Sequence, residues 1–276
     1  MKILHTEAST GWGGQDMRVL AEAREMQKRG HYVVIACASD CPLWKAAQSA
    51  KVPTEAVEFG KKIRWSAVRA VRRIIRRHGI EIVNTHSSAD GWSGAVAAKI
   101  SGCVCVRTRH LSRRVRPNFP NQMLYTRLTD FVFTTGEALR EQLIRENGLA
   151  SERVASVPTG VDIEFFDPQR WPRAPFRTEI GAAEDDFLWV HVAMMRRMKG
   201  HDMLAEAAAL LLEKQPRARF AVVGDIPSDS PVRAEFEAKL RALKIAERFT
   251  LTGFREDVPG ILAGCDAAVL PSVEGE

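Results

Sequence analysis

The sequence predicts an α/β protein in which helices cover parallel sheets, divided into two domains. Three observations carry that expectation. Short apolar strands alternate with amphipathic helical stretches from one end to the other. The 276 residues are long for one compact core and comfortable for two. Between two runs of this alternation, Pro158, Pro168, Pro172 and Pro175 accompany a stretch with no clear period, Asp162–Arg177. The boundary is expected within 165–183 and is drawn as 1–170 and 171–276.

The elements follow in order. Lys2–Thr6 reads as a short buried strand, followed by the glycine-rich turn Thr10-Gly-Trp-Gly-Gly14. Arg18–Arg29 reads as a helix with Val19, Leu20, Ala23 and Met26 on one face, stopped by Gly30. Tyr32–Ala38 is the second strand. The spacing predicts a helix over Arg64–His78, with Val68, Val71 and Ile75 on its buried stripe and Gly79 as its stop. Strand Ile80–Thr85 delivers His86 to its end, and after helix Trp92–Ile100 strand Cys103–Arg107 leads to Arg109 and His110. Met123–Thr129 reads as helix, Phe131–Thr134 as strand, Ala138–Glu146 as helix and Val154–Val157 as strand. The second half repeats the scheme: strand 187–193, helix 201–214, strand 219–223, helix 232–243, strand Phe249–Thr252, helix Val258–Gly264 and strand Ala267–Leu270.

Composition narrows the class. Hydrophobic residues make up 45% and charged residues 27%, which suits a globular protein. No run approaches the roughly 18 apolar residues of a membrane span, and the N-terminus reads as a strand rather than a signal peptide. The five cysteines lie mostly in apolar context, and Cys103 and Cys105 would face opposite sides of a strand, so structural thiols in a reducing cytoplasm are expected and a shared metal is not. Charge is uneven: residues 61–116 carry fourteen Lys and Arg against Glu81 and Asp90 alone. An acidic partner is expected on that side of the first domain.

The stretch 187–225 points to chemistry. A strand, Phe187–Ala193, runs into the basic loop Met194-Met-Arg-Arg-Met-Lys-Gly200, then a helix, then a strand ending in Gly224-Asp225. Helix N-termini favour anions through free N–H groups and the helix dipole, and Arg196, Arg197 and Lys199 add fixed cations. A phosphate-bearing small molecule is expected there, at the strand-end loops where open parallel sheets bind ligands.

The order of motifs resembles the retaining GT-B glycosyltransferases of family 4, particularly bacterial members that build lipopolysaccharide and related envelope glycans. Gly11-Trp-Gly-Gly-Gln15 resembles the family's glycine-rich loop, Asn84-Thr-His86 its first histidine-bearing strand end, and Arg107-Thr-Arg-His110 the strand end whose histidine approaches the donor sugar. Pro158-Thr-Gly-Val-Asp162 is similar to P-N-G-V-D with Thr159 in place of Asn. Met194-x-Arg196-x-x-Lys199-Gly200 resembles the donor-diphosphate loop, although the position five residues before the lysine is Met194 rather than Arg. Val222-Val-Gly-Asp225 and Leu251-Thr-Gly253, with Phe254 and Asp257-Val-Pro259 beyond, resemble segments around the nucleotide. Leu270-Pro-Ser272 approaches the paired-glutamate motif, whose first member would be Glu276 or Glu274, with Glu276 slightly preferred.

The resemblance implies two Rossmann-like domains in the GT-B arrangement, with the active site in the cleft and the second domain incomplete at its C-terminal end. It implies His110, Arg196, Lys199 and Glu276 or Glu274 in the chemistry. Gly13, Gly14, Gly200, Gly224, Asp225, Gly253 and Phe254 would lie around the donor, and His86, Arg109 and Gln15 on the acceptor side. It also implies a UDP- or GDP-linked sugar donor, no metal or cofactor, a glycan or lipid-linked acceptor, and work in the cytoplasm at the inner face of the membrane.

Blander readings stand beside these. His86 could be held in a local network by Ser87, Ser88 and Asp90, Gly13 and Gly14 could be a tight turn, and Asp225 could be a helix cap. His5 and His31 read as structural. The basic helix is either a core-packed helix with a solvated face or a contact for anionic lipid through 61–78. An NAD-dependent oxidoreductase would need Gly-x-Gly-x-x-Gly, but the sixth position of that pattern, counted with Gly11 as its first, is Asp16. A nucleic-acid-binding protein would interleave aromatics with the basic residues, and only Trp65 does so.

Overall fold

The computed structural model describes residues 1–60, 62–111, 113–224 and 230–273. Its strands form two all-parallel sheets of the kind the alternating pattern requires. The chain divides into a unit Met1–Gly160 and a second unit beginning at Val161. The division precedes the 170/171 boundary drawn from the sequence. The intervening segment belongs with the second unit: the Trp171 ring lies against Gly260, and Trp171 Nε1 donates to Phe165 O at 2.8 Å.

In the first unit the strands are β1 (Lys2–Thr6), β2 (Tyr32–Cys37), β3 (Thr54–Ala56), β4 (Ile82–Thr85), β5 (Val104–Arg109), β6 (Phe131–Thr134) and β7 (Val154–Ser156). They lie in the order β3-β2-β1-β4-β5-β6-β7. The helices are α1 (Gly14–Lys28), α2 (Pro42–Ser49), α3 (Trp65–His78), α4 (Ser88–Ser101), α5 (Phe119–Gln122) and α6 (Glu137–Asn147). Alternate residues of each strand enter opposite faces. Leu4, Val34, Val83, Cys105 and Val132 pack on one side, and Ile3, Val33, Ile35 and Cys37 on the other. The expected helix at 123–129 is instead a π-helical turn, Met123–Leu128, that continues α5. Because α1 starts at Gly14, Gln15 stands in its first turn.

In the second unit β8 (Phe187–Val192), β9 (Ala218–Val223), β10 (Phe249–Gly253) and β11 (Ala267–Ala268) lie in the order β10-β9-β8-β11. Helices α7 (Ala174–Glu179), α8 (His201–Lys214), α9 (Pro231–Ala242) and α10 (Val258–Gly264) accompany them. Phe220 and Val222 pack on one face and Leu188, Val190 and Val223 on the other. Each sheet therefore has a point where strand order reverses, between β1 and β4 in the first and between β8 and β11 in the second. Ligands of open parallel sheets bind beyond the strand ends at such points.

Candidate active site

At the reversal point of the first sheet, three histidines form a row. His5 Nδ1 lies 2.8 Å from His86 Nε2, and His86 Nδ1 lies 2.8 Å from His110 Nε2. His5 and His86 are buried and His110 is half-buried. Burial pulls His5 down to about 4, and burial followed by the nearby Arg18 pulls His110 to about 3. His86 is held well below its usual value by burial and then by its two histidine neighbours. All three rings are thus neutral near pH 7, each with one N–H and one bare nitrogen.

Neutral rings couple their tautomers along such a row. If His5 carried its proton on Nε2, that N–H would be buried without a partner, because Nε2 of His5 has none among the described residues. Placing every proton on Nδ1 avoids this. His5 then donates to His86, His86 donates to His110, and the outer Nδ1–H of His110 is left to offer a hydrogen bond.

Two carboxylates lie at the ends of the same strands. Asp90 accepts from Thr6 Oγ1 at 2.6 Å, from the backbone N–H of His86 at 2.9 Å and of Ser87 at 2.7 Å, and from the Ser87 hydroxyl. It also closes the capping box of α4, in which Ser87 accepts from Ala89 and Asp90 N–H groups. The local network considered for His86 therefore exists, but it holds the His86 backbone while the ring joins the other histidines. Glu7, just past β1, accepts from the N–H groups of Ala8 and Ser9, both at 2.8 Å, and from the Gln15 amide. Burial, then the charge of Asp90, raises its carboxyl to about 7.

The sequence reading assigned His5 a structural role and did not single out Glu7. His5 joins the row because β1 and β4 are neighbours with His5 opposite Asn84, a register invisible in a linear chain. Gly13 and Gly14 open α1, where Gly13 N–H donates to Asp16 Oδ2 at 3.0 Å. Arg109, last in β5, points Nη2 to Arg113 O at 3.2 Å.

The second unit gathers the predicted donor segments. The basic loop becomes a 3₁₀ turn, Arg197–Lys199, and Gly200 adopts φ +71° as it enters α8. A side chain at Gly200 would come within 1.8 Å of Pro271 O, and Val273 N–H donates to Met198 O at 3.0 Å. The loop and the segment Pro271–Val273 are therefore locked together, and only glycine permits it. A side chain at Gly224 would likewise come within 2.2 Å of Ala193 O, and the Gly224 N–H donates to Gly253 O at 2.9 Å. Arg197 is paired with Glu235 at 2.7 Å. Arg196 is exposed and Lys199 half-buried. Phe254 stands exposed. Asp225, Glu274 and Glu276 lie outside the described residues.

His191 Nδ1 lies 2.9 Å from Val269 O, joining β8 to the segment after β11. His201 follows the loop, its pKa lowered to about 4 by burial and then by His191. Among the described residues no group of three His, Cys, Asp or Glu side chains has the geometry to hold a metal.

Comparison with known proteins agrees with this layout. The fold is that of GT-B glycosyltransferases. A glycosyltransferase from Rickettsia africae ESF-5 superposes with a TM-score of 0.87 at 18% identity, over 99% of this chain and 73% of that one. Anabaena Alr3699/HepE in complex with UDP superposes with a TM-score of 0.81 at 21% identity, over 99% and 75%. In sequence, the Escherichia coli UDP-Gal:alpha-D-GlcNAc-diphosphoundecaprenol alpha-1,3-galactosyltransferase is 27% identical over 212 residues, covering 73% of this chain and 54% of the relative. The chain thus spans about half the length of that relative. The pattern "Glycosyl transferases group 1" matches residues 186–276. The pattern "Glycosyltransferase Family 4" matches residues 12–165, more than half of the sequence, and the chain belongs to that family.

Proposed function

We propose that this protein transfers a hexose from a UDP-linked donor to an envelope glycan or lipid-linked acceptor, with retention of configuration and without a metal. The observation that carries the donor half is the lock between Arg197–Gly200 and Pro271–Val273 at the reversal point of the second sheet. Departure of a nucleoside diphosphate leaves concentrated negative charge. Lys199, Arg196 and the first N–H groups of α8 offer preorganised positive charge for it. A neutral His110 with an outward N–H suits a hydrogen bond to a sugar hydroxyl.

UDP is favoured over GDP because the E. coli relative uses UDP-Gal and the Anabaena neighbour was crystallised with UDP. The acceptor class follows from the same relative's diphosphoundecaprenol substrate. Retention rests on the family resemblance. Work at the inner face of the cytoplasmic membrane would suit a lipid-linked acceptor, with the basic helix α3 as the contact. No helix among the described residues is long and apolar enough to cross a membrane.

The test is a thermal-unfolding titration with UDP, GDP and NAD on the protein and on Lys199→Ala. UDP at a hundred times its dissociation constant should raise Tm by roughly several degrees. The variant should lose that rise and about a hundredfold or more of its turnover. A rise with NAD alone would overturn the transferase reading, and an undiminished rise in Lys199→Ala would remove the lysine from the donor site.

A further inference from the structure

The first unit holds a cavity of about 350 Å³ lined by five arginines, Arg107, Arg109, Arg113, Arg114 and Arg116, together with Tyr125. No carboxylate is among its lining residues. Arg114 pairs with Glu146 at 2.7 Å, and behind the wall the charge of Asp90 acts on Arg107. The five guanidinium groups thus share one concavity without an acidic side chain in its walls.

The walls are fixed. Arg107 is 2% exposed, donates to Thr85 Oγ1 at 3.2 Å and Ser87 O at 3.0 Å, and lies over the Tyr125 ring at 5.2 Å. Gly91 leaves it room, since a side chain there would come within 1.9 Å of its Nη1. The basic loop is held too: Val115 N–H donates to Gln142 Oε1 at 3.1 Å, and Gln142 Nε2 donates back to Val115 O at 2.9 Å. Arg116 O accepts from Asn121 Nδ2 at 2.9 Å. Arg116 therefore projects from backbone held on both sides, and Arg113 O accepts from Arg109 Nη2 at 3.2 Å.

Two guanidinium donors remain unpaired. The Nε–H groups of Arg107 and Arg109 are buried with no partner among the described residues. Although burial raises the Tyr125 phenol, Arg107 and then Arg109 more than reverse that and hold it below its usual value. A buried N–H without a partner is costly, and a dianion bound by several guanidinium forks would offset that cost.

We infer that this cavity is a binding site for a phosphate or diphosphate ester, and that the acceptor of the transfer is phosphorylated. The inference rests on the transferase reading for the word acceptor, and on the cavity alone for the anion. The volume exceeds that of a single phosphate and suits a diphosphate or a sugar phosphate. Arg109 immediately precedes His110, so the anion site and the outer end of the histidine row share one strand end.

Isothermal titration calorimetry with inorganic pyrophosphate at low salt tests it, on the protein, on Arg113→Gln/Arg116→Gln and on Lys199→Ala. Both substituted arginines are exposed, so the fold should survive, and an unchanged Tm verifies this. Binding should persist in Lys199→Ala and weaken at least roughly tenfold in the double variant. Absence of binding, or binding lost in Lys199→Ala but unchanged in the double variant, would overturn the site. The UDP titration on the same double variant keeps the two readings apart: UDP should still bind, and if UDP binds none of the proteins while pyrophosphate behaves as expected, the donor reading fails and the anion site stands.

Two further arms separate the sources of the phosphate. Phosphatidylcholine vesicles doped with an isoprenoid diphosphate, bound in preference to undoped vesicles and only with the arginines present, would assign it to a lipid headgroup. Displacement of pyrophosphate by glucose 1-phosphate, with no preference for doped vesicles, would assign it to a soluble sugar phosphate.

Discussion

Glu7 is fully buried at the end of β1, where burial and the neighbouring Asp90 favour its protonated form. Its carboxyl is raised from 4.5 to about 7. A raised carboxyl contributes stability that is fully present below the unfolded value and is lost as pH climbs through the folded one. Between pH 4.5 and 7 the native protein therefore forfeits stability through this side chain. Glu7→Gln does not titrate, and its amide oxygen can still accept from Ala8 and Ser9. Its Tm relative to the unsubstituted protein should rise across that window by roughly several degrees and then level off. A flat difference from pH 4.5 to 8 would show that Glu7 is ionised throughout. The same corner shows what sequence could reveal. His86 and His110 were legible because each follows an apolar strand, but His5 precedes His86 by 81 positions and joins it only through strand pairing. Arg107 was visible as part of a motif, yet the convergence of five arginines on one cavity depends on a loop held by Gln142, which no local pattern announces.

Helix α3 shows how strongly apolar spacing fixes an element. Ala67, Val68, Val71, Ile74 and Ile75 are buried on one side, as the stripe through Val68, Val71 and Ile75 requires, and Gly79 closes the helix at φ +63°. Elements without such spacing escaped. In α2 only Leu43 and Ala47 are buried and Cys41 serves as the cap, β3 is a three-residue edge strand, and α7 lies inside the proline-rich stretch. On the outer side of α3, Arg69, Arg73 and Arg76 are exposed, and Ile63 and Trp65 lie exposed at its start. Basic residues flanked by exposed apolar ones suit a surface of anionic lipid. Cosedimentation with vesicles containing phosphatidylglycerol should therefore retain the protein at low salt and release it as salt rises. At about 1 kcal/mol for each basic side chain, Arg69→Gln/Arg73→Gln/Arg76→Gln should weaken partitioning by roughly a hundredfold. Equal retention of the triple variant would leave α3 a solvated helix with no part in docking.

Strand and helix alternation foretold two parallel α/β units, but not their strand orders, because each βαβ step leaves open the side on which the next strand adds. Those orders create the two reversal points and hence the candidate sites. The basic loop 194–200 was readable because it is contiguous, whereas its partner segment Pro271–Val273 follows a neighbouring strand. Each unit is built on apolar layers of its own: Leu4 through Val154 in the first, Phe176 through Phe249 and Ile261 in the second. Scanning calorimetry should accordingly resolve two transitions. Unfolding enthalpy scales at roughly 0.7 kcal/mol per residue, so the larger transition belongs to the unit Met1–Gly160. UDP, bound at the Lys199 loop, should raise the smaller transition, and pyrophosphate in the arginine cavity should raise the larger, because a ligand stabilises only the cooperative unit that it binds. In Lys199→Ala the first effect should vanish and the second remain, and Arg113→Gln/Arg116→Gln should show the reverse. A single transition moved as a whole by either ligand would mean instead that the two cores unfold as one, and the separate layers would not be separate cooperative units.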